Sequence, residues 1–161
     1  MRIGVISDTH GLFDRSILHH FAGVEHILHA GDIGSGDVLA QLERIAPVTA
    51  VSGNVDGFEA SGVPVEQTVE LEGHRVAIYH RLYEGGRLTQ EGKDLLDRVR
   101  PAVCVYGHTH QPKAEWRDGV LLFNPGSAGQ KRFRLPRAVG LLLFHNGSID
   151  TRHILLGDRA E

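Results

Sequence analysis

The chain has 161 residues, the size of one domain, and its 41% hydrophobic and 23% charged residues are ordinary for a soluble fold. Twenty acidic against 17 basic residues give a formal charge of −3, which excludes a polycation built along its whole length for nucleic acid. The longest nearly unbroken apolar run, Ala138 to Phe144, falls far short of the roughly 20 residues that span a bilayer, so no membrane partner is expected.

Met1-Arg2 leads directly into Ile3-Gly4-Val5-Ile6, which reads as a strand and not as a signal peptide, so the expected compartment is the cytoplasm. The first half alternates short apolar runs with helix-like stretches. These are Arg2 to Ser7, then Arg15 to Ala22; His26 to Ala30, then Gly36 to Ile45; and Val48 to Ser52. This is the βαβ rhythm of a parallel sheet. Val65 to Leu71 alternates like a half-exposed strand and turns at Glu72-Gly73 into Arg75 to Tyr79, a predicted hairpin. Thr89 is the predicted N-cap of a helix through Arg98, with Pro101 beyond its end and the strand Val103 to Tyr106 next. Lys113 to Trp116 and Val120 to Phe123 flank Arg117-Asp118-Gly119, and Ala138 to Phe144 and Ser148 to Leu155 flank the turn Asn146-Gly147. The single cysteine, Cys104, lies in an apolar strand and reads as a buried thiol. No repeat or linker divides the chain, so one domain over 1–161 is expected, an α/β fold of two stacked sheets with helices outside.

Eleven histidines, about 7% of the chain, are the compositional anomaly, and their positions matter more than their number. Five apolar strands end in residues able to bind a metal. Asp8 and His10 follow the first, Asp32 the second, Asn54 and Asp56 the third, His80 another, and His108 with His110 the strand ending at Tyr106. In α/β sheets ligands gather at the carboxyl ends of strands, so these residues are expected to converge. Gly31, Gly53 and Gly107 precede ligands and are read as allowing tight turns. Carboxylate, amide and imidazole donors without thiolate suit borderline divalent ions, and the seven donors other than Asp56 suit two ions sharing a carboxylate rather than one tetrahedral site.

Asp8-Thr9-His10, Gly31-Asp32, Gly53-Asn54, His80 and Gly107-His108-Thr109-His110 resemble, in order, the signature of the calcineurin-like metallophosphoesterases. With Ser7 before Asp8 and with Asn124-Pro125-Gly126-Ser127, the chain is similar to the small bacterial and archaeal phosphodiesterase branch, which also contains the eukaryotic retromer scaffold subunit. The resemblance implies a four-layer α/β sandwich with two mixed sheets. It implies that Asp8, His10, Asp32 and His110 bind one metal and Asp32, Asn54, His80 and His108 the other, with Asp32 as the bridge. Manganese is the expected ion, with iron, nickel or zinc as alternatives. The implied activity is hydrolysis of a small phosphodiester by hydroxide held between the two ions, with Asp32, Asn54 and Asp56 as the catalytic group. A scaffold of the same fold, a phosphomonoesterase and a nuclease are the alternatives, and a homo-oligomer stays open.

Two departures stand out. Val55 occupies the position where many members carry a histidine, and Arg81-Leu82 replaces the Gly-His that typically follows His80 in this branch. Arg81 reads either as a bidentate phosphate ligand or as a solvated loop residue. Asp56 reads either as the partner of the distal N–H of His10 or as a turn cap. His29, just before Ala30-Gly31-Asp32, reads as an orienting group or as a satisfied core histidine. Lys131, Arg132, Arg134 and Arg137 cluster around Phe133, a basic loop able to attract phosphate or a nucleic-acid backbone, with Arg132 as its expected substrate contact.

Overall fold

The computed structural model describes residues 1–54, 56 and 62–161. In chain order its elements are β1 (Arg2–Ile6), α1 (Ile17–His20), β2 (His26–His29), α2 (Gly36–Glu43), β3 (Val48–Ala50), β4 (Glu66–Leu71), β5 (His74–Tyr79), β6 (Tyr83–Glu84), β7 (Arg87–Leu88), α3 (Gln90–Val99), β8 (Val103–Val105), β9 (Lys113–Arg117), β10 (Val120–Asn124), β11 (Ala138–His145) and β12 (Ser148–Leu155). One sheet has the order β12-β11-β1-β2-β3, the other β4-β5-β8-β10-β9. In each, three adjacent strands run parallel, β1-β2-β3 and β5-β8-β10, and antiparallel strands complete the sheet.

Side-chain alternation assigns the faces. Ile3 and Val5 of β1 pack with Leu28, Val76, Ile78, Val103, Val105, Leu121, Phe123 and Leu142, so the inner faces of both sheets share one core. The opposite faces are covered separately: Ile27, Ala50, Val139 and Leu141 meet Ile17 and Phe21 beside α1 and Val38 and Leu42 of α2, while Ala77, Cys104 and Leu122 meet Leu95 of α3. The result is the expected α/β sandwich of two mixed sheets between helices. Cys104 is buried as expected, and burial pushes its thiol pKa up to about 12. Among the described residues no helix is long and apolar enough to cross a membrane.

Three local readings change. The helix expected over Arg15 to Ala22 contracts to Ile17–His20 because Ser16, its N-cap, donates both its N–H and its hydroxyl to Asp14 Oδ1 (2.9 and 2.7 Å) and leaves the helix uncapped. The tight β6–β7 hairpin over Gly85-Gly86, with φ of 59° and 78°, lies in a stretch with no alternation to mark it. The third concerns Arg137, which does not belong to the basic loop.

Arg137 is the largest fully buried side chain, 1% exposed. Its guanidinium donates to Gly129 O (2.6 Å), Gly157 O (2.7 Å), Ala128 O (3.2 Å) and the buried Asp14 Oδ2 (2.8 Å). Burial opposes ionisation of Asp14, but bonds from Ser16 and Arg137 outweigh it and hold the carboxyl below its usual range. Removing one partner of a buried pair strands the other, so Arg137→Ala is expected to destabilise the protein by about 3–5 kcal/mol in denaturant titrations. The deficit should narrow as pH falls through the folded-state pKa of Asp14, because the native state then loses the ionised carboxylate that Arg137 stabilises. A loss within 0.5 kcal/mol, roughly that of a surface substitution, would contradict this role.

Candidate metal centre

The ligand candidates lie beyond the carboxyl ends of parallel strands from both sheets: Asp8 and His10 after β1, Asp32 after β2, His80 after β5, His108 and His110 after β8. Hydrogen bonds extend past the strand ends and bind these loops together. Asp8 N–H donates to Gly31 O (2.9 Å), His10 N–H to Asp32 O (2.9 Å), Gly11 N–H to Ile33 O (2.7 Å) and Gly107 N–H to His80 O (3.2 Å).

Asp8 stands at the centre. Its Oδ2 accepts from Ser7 Oγ (2.7 Å) and the His108 N–H (3.2 Å), which turns Oδ1 toward three imidazoles. Oδ1 lies 3.2 Å from His110 Nε2, 3.8 Å from His80 Nε2 and 3.9 Å from His10 Nε2. Asp32 Oδ2 closes the other side, 3.3 Å from His80 Nε2 and 3.8 Å from His10 Nε2. Among the described residues two groups have the spacing of a metal shell, Asp8-His10-His110 and Asp8-Asp32-His80. Asp8 Oδ1, His10 Nε2 and His80 Nε2 are buried with no hydrogen-bond partner among the described residues. Buried polar atoms are ordinarily paired, so three orphans aimed at a common space fit a cation held there.

The ring of His80 is fixed from behind, where Nδ1 lies 2.7 Å from Ala30 O and so carries the proton, leaving the Nε2 lone pair to face the centre. Burial opposes its protonation, but Asp32 and Asp8 together raise its pKa. The carboxyl of Asp8 is held below its usual range despite burial, chiefly by His110 and His80, and burial lowers the pKa of His10 against the pull of Asp32 and Asp8.

Not every candidate enters this cluster equally. The His108 ring packs edge-on to His80 (centroids 5.4 Å apart), and its Nε2 lies 3.6 Å from Glu84 Oε1. Asn54 is exposed and lines a cavity of ≈ 360 Å³ with Tyr79, His80 and Arg81. Asp56 is not brought to His10. Its carboxylate accepts the backbone N–H groups of Gly34 (2.9 Å) and Gly53 (2.7 Å), tying the loops after β2 and β3 together. Arg81 is exposed and ion-paired with Glu84. Val55 lies outside the described residues.

His29 acts through the backbone. Its Nδ1 accepts from the Gly31 N–H (3.1 Å), so Nε2 carries the proton and donates to Thr9 Oγ1 (3.0 Å), which in turn donates to Ile33 O (2.8 Å). Full burial lowers its pKa to about 4. The Asn124 to Ser127 turn is a second clamp. The Asn124 amide donates to Gly107 O (3.2 Å) and Thr109 Oγ1 (3.0 Å), and Ser127 Oγ donates to Asp8 O (3.2 Å).

Backbone conformation adds a signal the residue order does not carry. Asp8, His10, Asp32, His108 and His110 all have φ between 47° and 71°, in the left-handed region. The turn strain is therefore borne by the ligands themselves. Gly107 serves close approach instead, because a Cβ there would lie 2.2 Å from Ser7 Oγ and 2.7 Å from Asp8 Oδ2.

Comparison with known proteins bears on the same residues. The calcineurin-like phosphoesterase superfamily domain matches residues 1–147. The chain belongs to this superfamily. A probable metallophosphoesterase of Methanothermobacter thermautotrophicus is 38% identical, over 98% of this chain and 94% of its own. A solved structure described as a novel archaeal phosphodiesterase is 26% identical with a TM-score of 0.75, covering 97% of this chain and all of its own. Vacuolar protein sorting 29 from Cryptosporidium parvum, 18% identical, shares the fold with a TM-score of 0.76 over 96% of this chain and 97% of its own.

Membership in a metallophosphoesterase superfamily implies divalent ions, and this donor set suits them. Two readouts need no substrate. Manganese should raise Tm, by the equivalent of about 2.7 kcal/mol at a hundredfold excess over Kd, and Asp8→Asn should abolish the rise. An unchanged rise would remove Asp8 from the metal shell. His29 stays neutral in the native state until about pH 4 while the unfolded chain protonates near its ordinary value, so stability should fall as pH drops through that interval. The contribution is roughly 3 kcal/mol. His29→Gln should flatten this part of the profile, and an unaltered slope would mean that other groups set it.

Proposed function

We propose that this phosphoesterase is a phosphodiesterase working with two divalent ions, manganese being the expected pair. Asp8, His10, Asp32 and His110 would hold one, and Asp32, Asn54, His80 and His108 the other. The observation that carries the reading is the convergence of buried, unpartnered Asp8 Oδ1, His10 Nε2 and His80 Nε2. Divalent ions held by these residues would activate water near neutral pH and neutralise the charge on phosphoryl oxygens.

The chain's own groups then divide the work. Asp32 and Asp8 each lie within 4 Å of both His10 and His80, so both carboxylates are near both sets, and Asp32 is the proposed bridge. Asp56 and His29 position the loops, and neither touches the reacting atoms. Arg132 lines the cavity on the His10 side and Arg81 the cavity on the His80 side, so both guanidiniums can meet non-bridging phosphoryl oxygens. Arg81 does so only by exchanging Glu84 for the phosphate. With Val55 where many relatives carry histidine, no imidazole at that position protonates a leaving group, which favours diesters with good leaving groups over alkyl monoesters. A pure interaction scaffold would need no converging set of buried ligands, and that set is the reason for preferring an enzyme.

Elemental analysis after manganese reconstitution should give close to two ions per chain, and bis(p-nitrophenyl) phosphate should be hydrolysed faster than alkyl monoesters. Asp32→Ala should lose both metal and activity. A metal content near zero in the wild-type protein would overturn the assignment. Arg81→Ala and Arg132→Ala should raise KM roughly ten- to a hundredfold, as loss of a charge-assisted contact predicts, with kcat within a few-fold. Glu84→Gln, which releases Arg81, should lower KM. A large fall in kcat at constant KM in Arg81→Ala would instead place Arg81 in the transition state.

A further inference from the structure

The loop that follows the Asn124 to Ser127 clamp leaves an aromatic ring in water, one residue beyond Arg132, which lines the cavity at His10. Phe133 is 94% exposed and has φ of 55°, an uncommon and costly conformation for a bulky side chain that gains almost no contact in return. Its charged neighbours are not equivalent. Lys131 is paired with Asp158 and Arg137 with Asp14, whereas Arg132 and Arg134 have no ion-pair partner among the described residues. Arg132 lines a cavity of ≈ 410 Å³ together with Gln130, Thr9 and the metal-facing His10, so the loop and the centre share one open space. That volume lies within the range of small-ligand sites, about 300–1,000 Å³.

We infer that Phe133 and its flanking arginines form a nucleobase platform, so the diester that reaches the metal centre carries a nucleoside, its reacting phosphate on Arg132, its base stacked on Phe133 and any outer phosphate on Arg134. This rests on the phosphodiesterase reading and narrows its substrate class. An exposed aromatic between guanidiniums is the arrangement that holds single-stranded nucleotides, because every base offers a π-face and the cations follow the backbone. The chain as a whole is acidic, so the attraction is local to this rim. A protein-binding aromatic would do as well among apolar neighbours, whereas the adjacent cations are complementary to phosphate.

Two diesters with the same leaving group, thymidine 5′-(p-nitrophenyl phosphate) and methyl p-nitrophenyl phosphate, test this with the manganese-loaded protein. Wild type should show a KM on the order of tenfold lower for the thymidine compound, and Phe133→Ala should collapse that ratio toward one, with Phe133→Trp restoring it. Fluorescence anisotropy of labelled oligothymidylate in chelator gives an independent readout. Binding should weaken about tenfold in Phe133→Ala and steeply with added salt. Equal KM values for the two diesters in wild type, together with equal oligothymidylate binding by wild type and Phe133→Ala, would overturn the platform. If neither diester is cleaved but oligothymidylate binding depends on Phe133, the phosphodiesterase reading falls and the platform stands.

Discussion

The constraint on which the structure turns is the burial of polar atoms that the protein itself does not satisfy. Asp8 Oδ1, His10 Nε2 and His80 Nε2 have no hydrogen-bond partner among the described residues although all three are out of contact with solvent. An unpaired buried polar group costs on the order of 1–3 kcal/mol, and more when charged. Three of them, set against a typical folding stability of about 5–15 kcal/mol, are tolerable only with strong support from the surroundings or a cation to complete them. The backbone adds to this cost. A residue in the left-handed region loses roughly 1–2 kcal/mol relative to its ordinary conformation, and five ligand residues stand there. Aspartate and histidine are among the residues that bear this best, so the chemistry of the ligands and the geometry of the loops are compatible.

What supports the centre is the set of clamps behind it. Ligand loops are bonded to the loops of other strands, and the bonds cross from one sheet to the other where the His108 N–H donates to Asp8 Oδ2 and where His80 Nδ1 donates to Ala30 O. His29 and Asp56 do the same for the loops after β2 and β3, with the backbone amides of Gly31, Gly34 and Gly53 as donors. Beneath these loops lies an apolar core shared by both sheets, rigid enough to hold the loops at fixed separation. The catalytic candidates are therefore loop residues whose positions are set by the sheets.

Strands and ligands were legible in the sequence because both leave periodic or positional marks. Alternation located the long strands, and a metal-binding residue after each of several apolar runs announced convergence at one edge of the sheets. What escaped depends on contacts between residues far apart in the chain. Arg137 lies among cations in the sequence, and only folding brings it 2.8 Å from Asp14, 123 positions away. Asp56 sits in a motif where either of two roles was open, and its partners Gly34 and Gly53 are backbone groups, which carry no signal in the side-chain sequence. Glu84 has no motif at all. It reaches Arg81 and His108 because the β6–β7 hairpin folds over the end of β5, held by the buried Leu82 and by Tyr83, whose ring meets Tyr106 at 5.4 Å.

The same distinction separates what the fold requires from what a particular reaction requires. The two sheets and their shared apolar core do not depend on Asp8, His10 and His80, which lie beyond the strand ends and contribute orphaned atoms and clustered charge. A protein whose only task was to present a surface would have no physical reason to keep them. The rim follows a different rule. Arg81 is held by Glu84 and Arg137 by Asp14, but Arg81 is exposed and exchangeable whereas Arg137 is buried and fixed. Ion-paired arginines thus divide by solvent access into those that build the fold and those able to give up one anion for another. Binding an anionic ester at the centre needs the second kind.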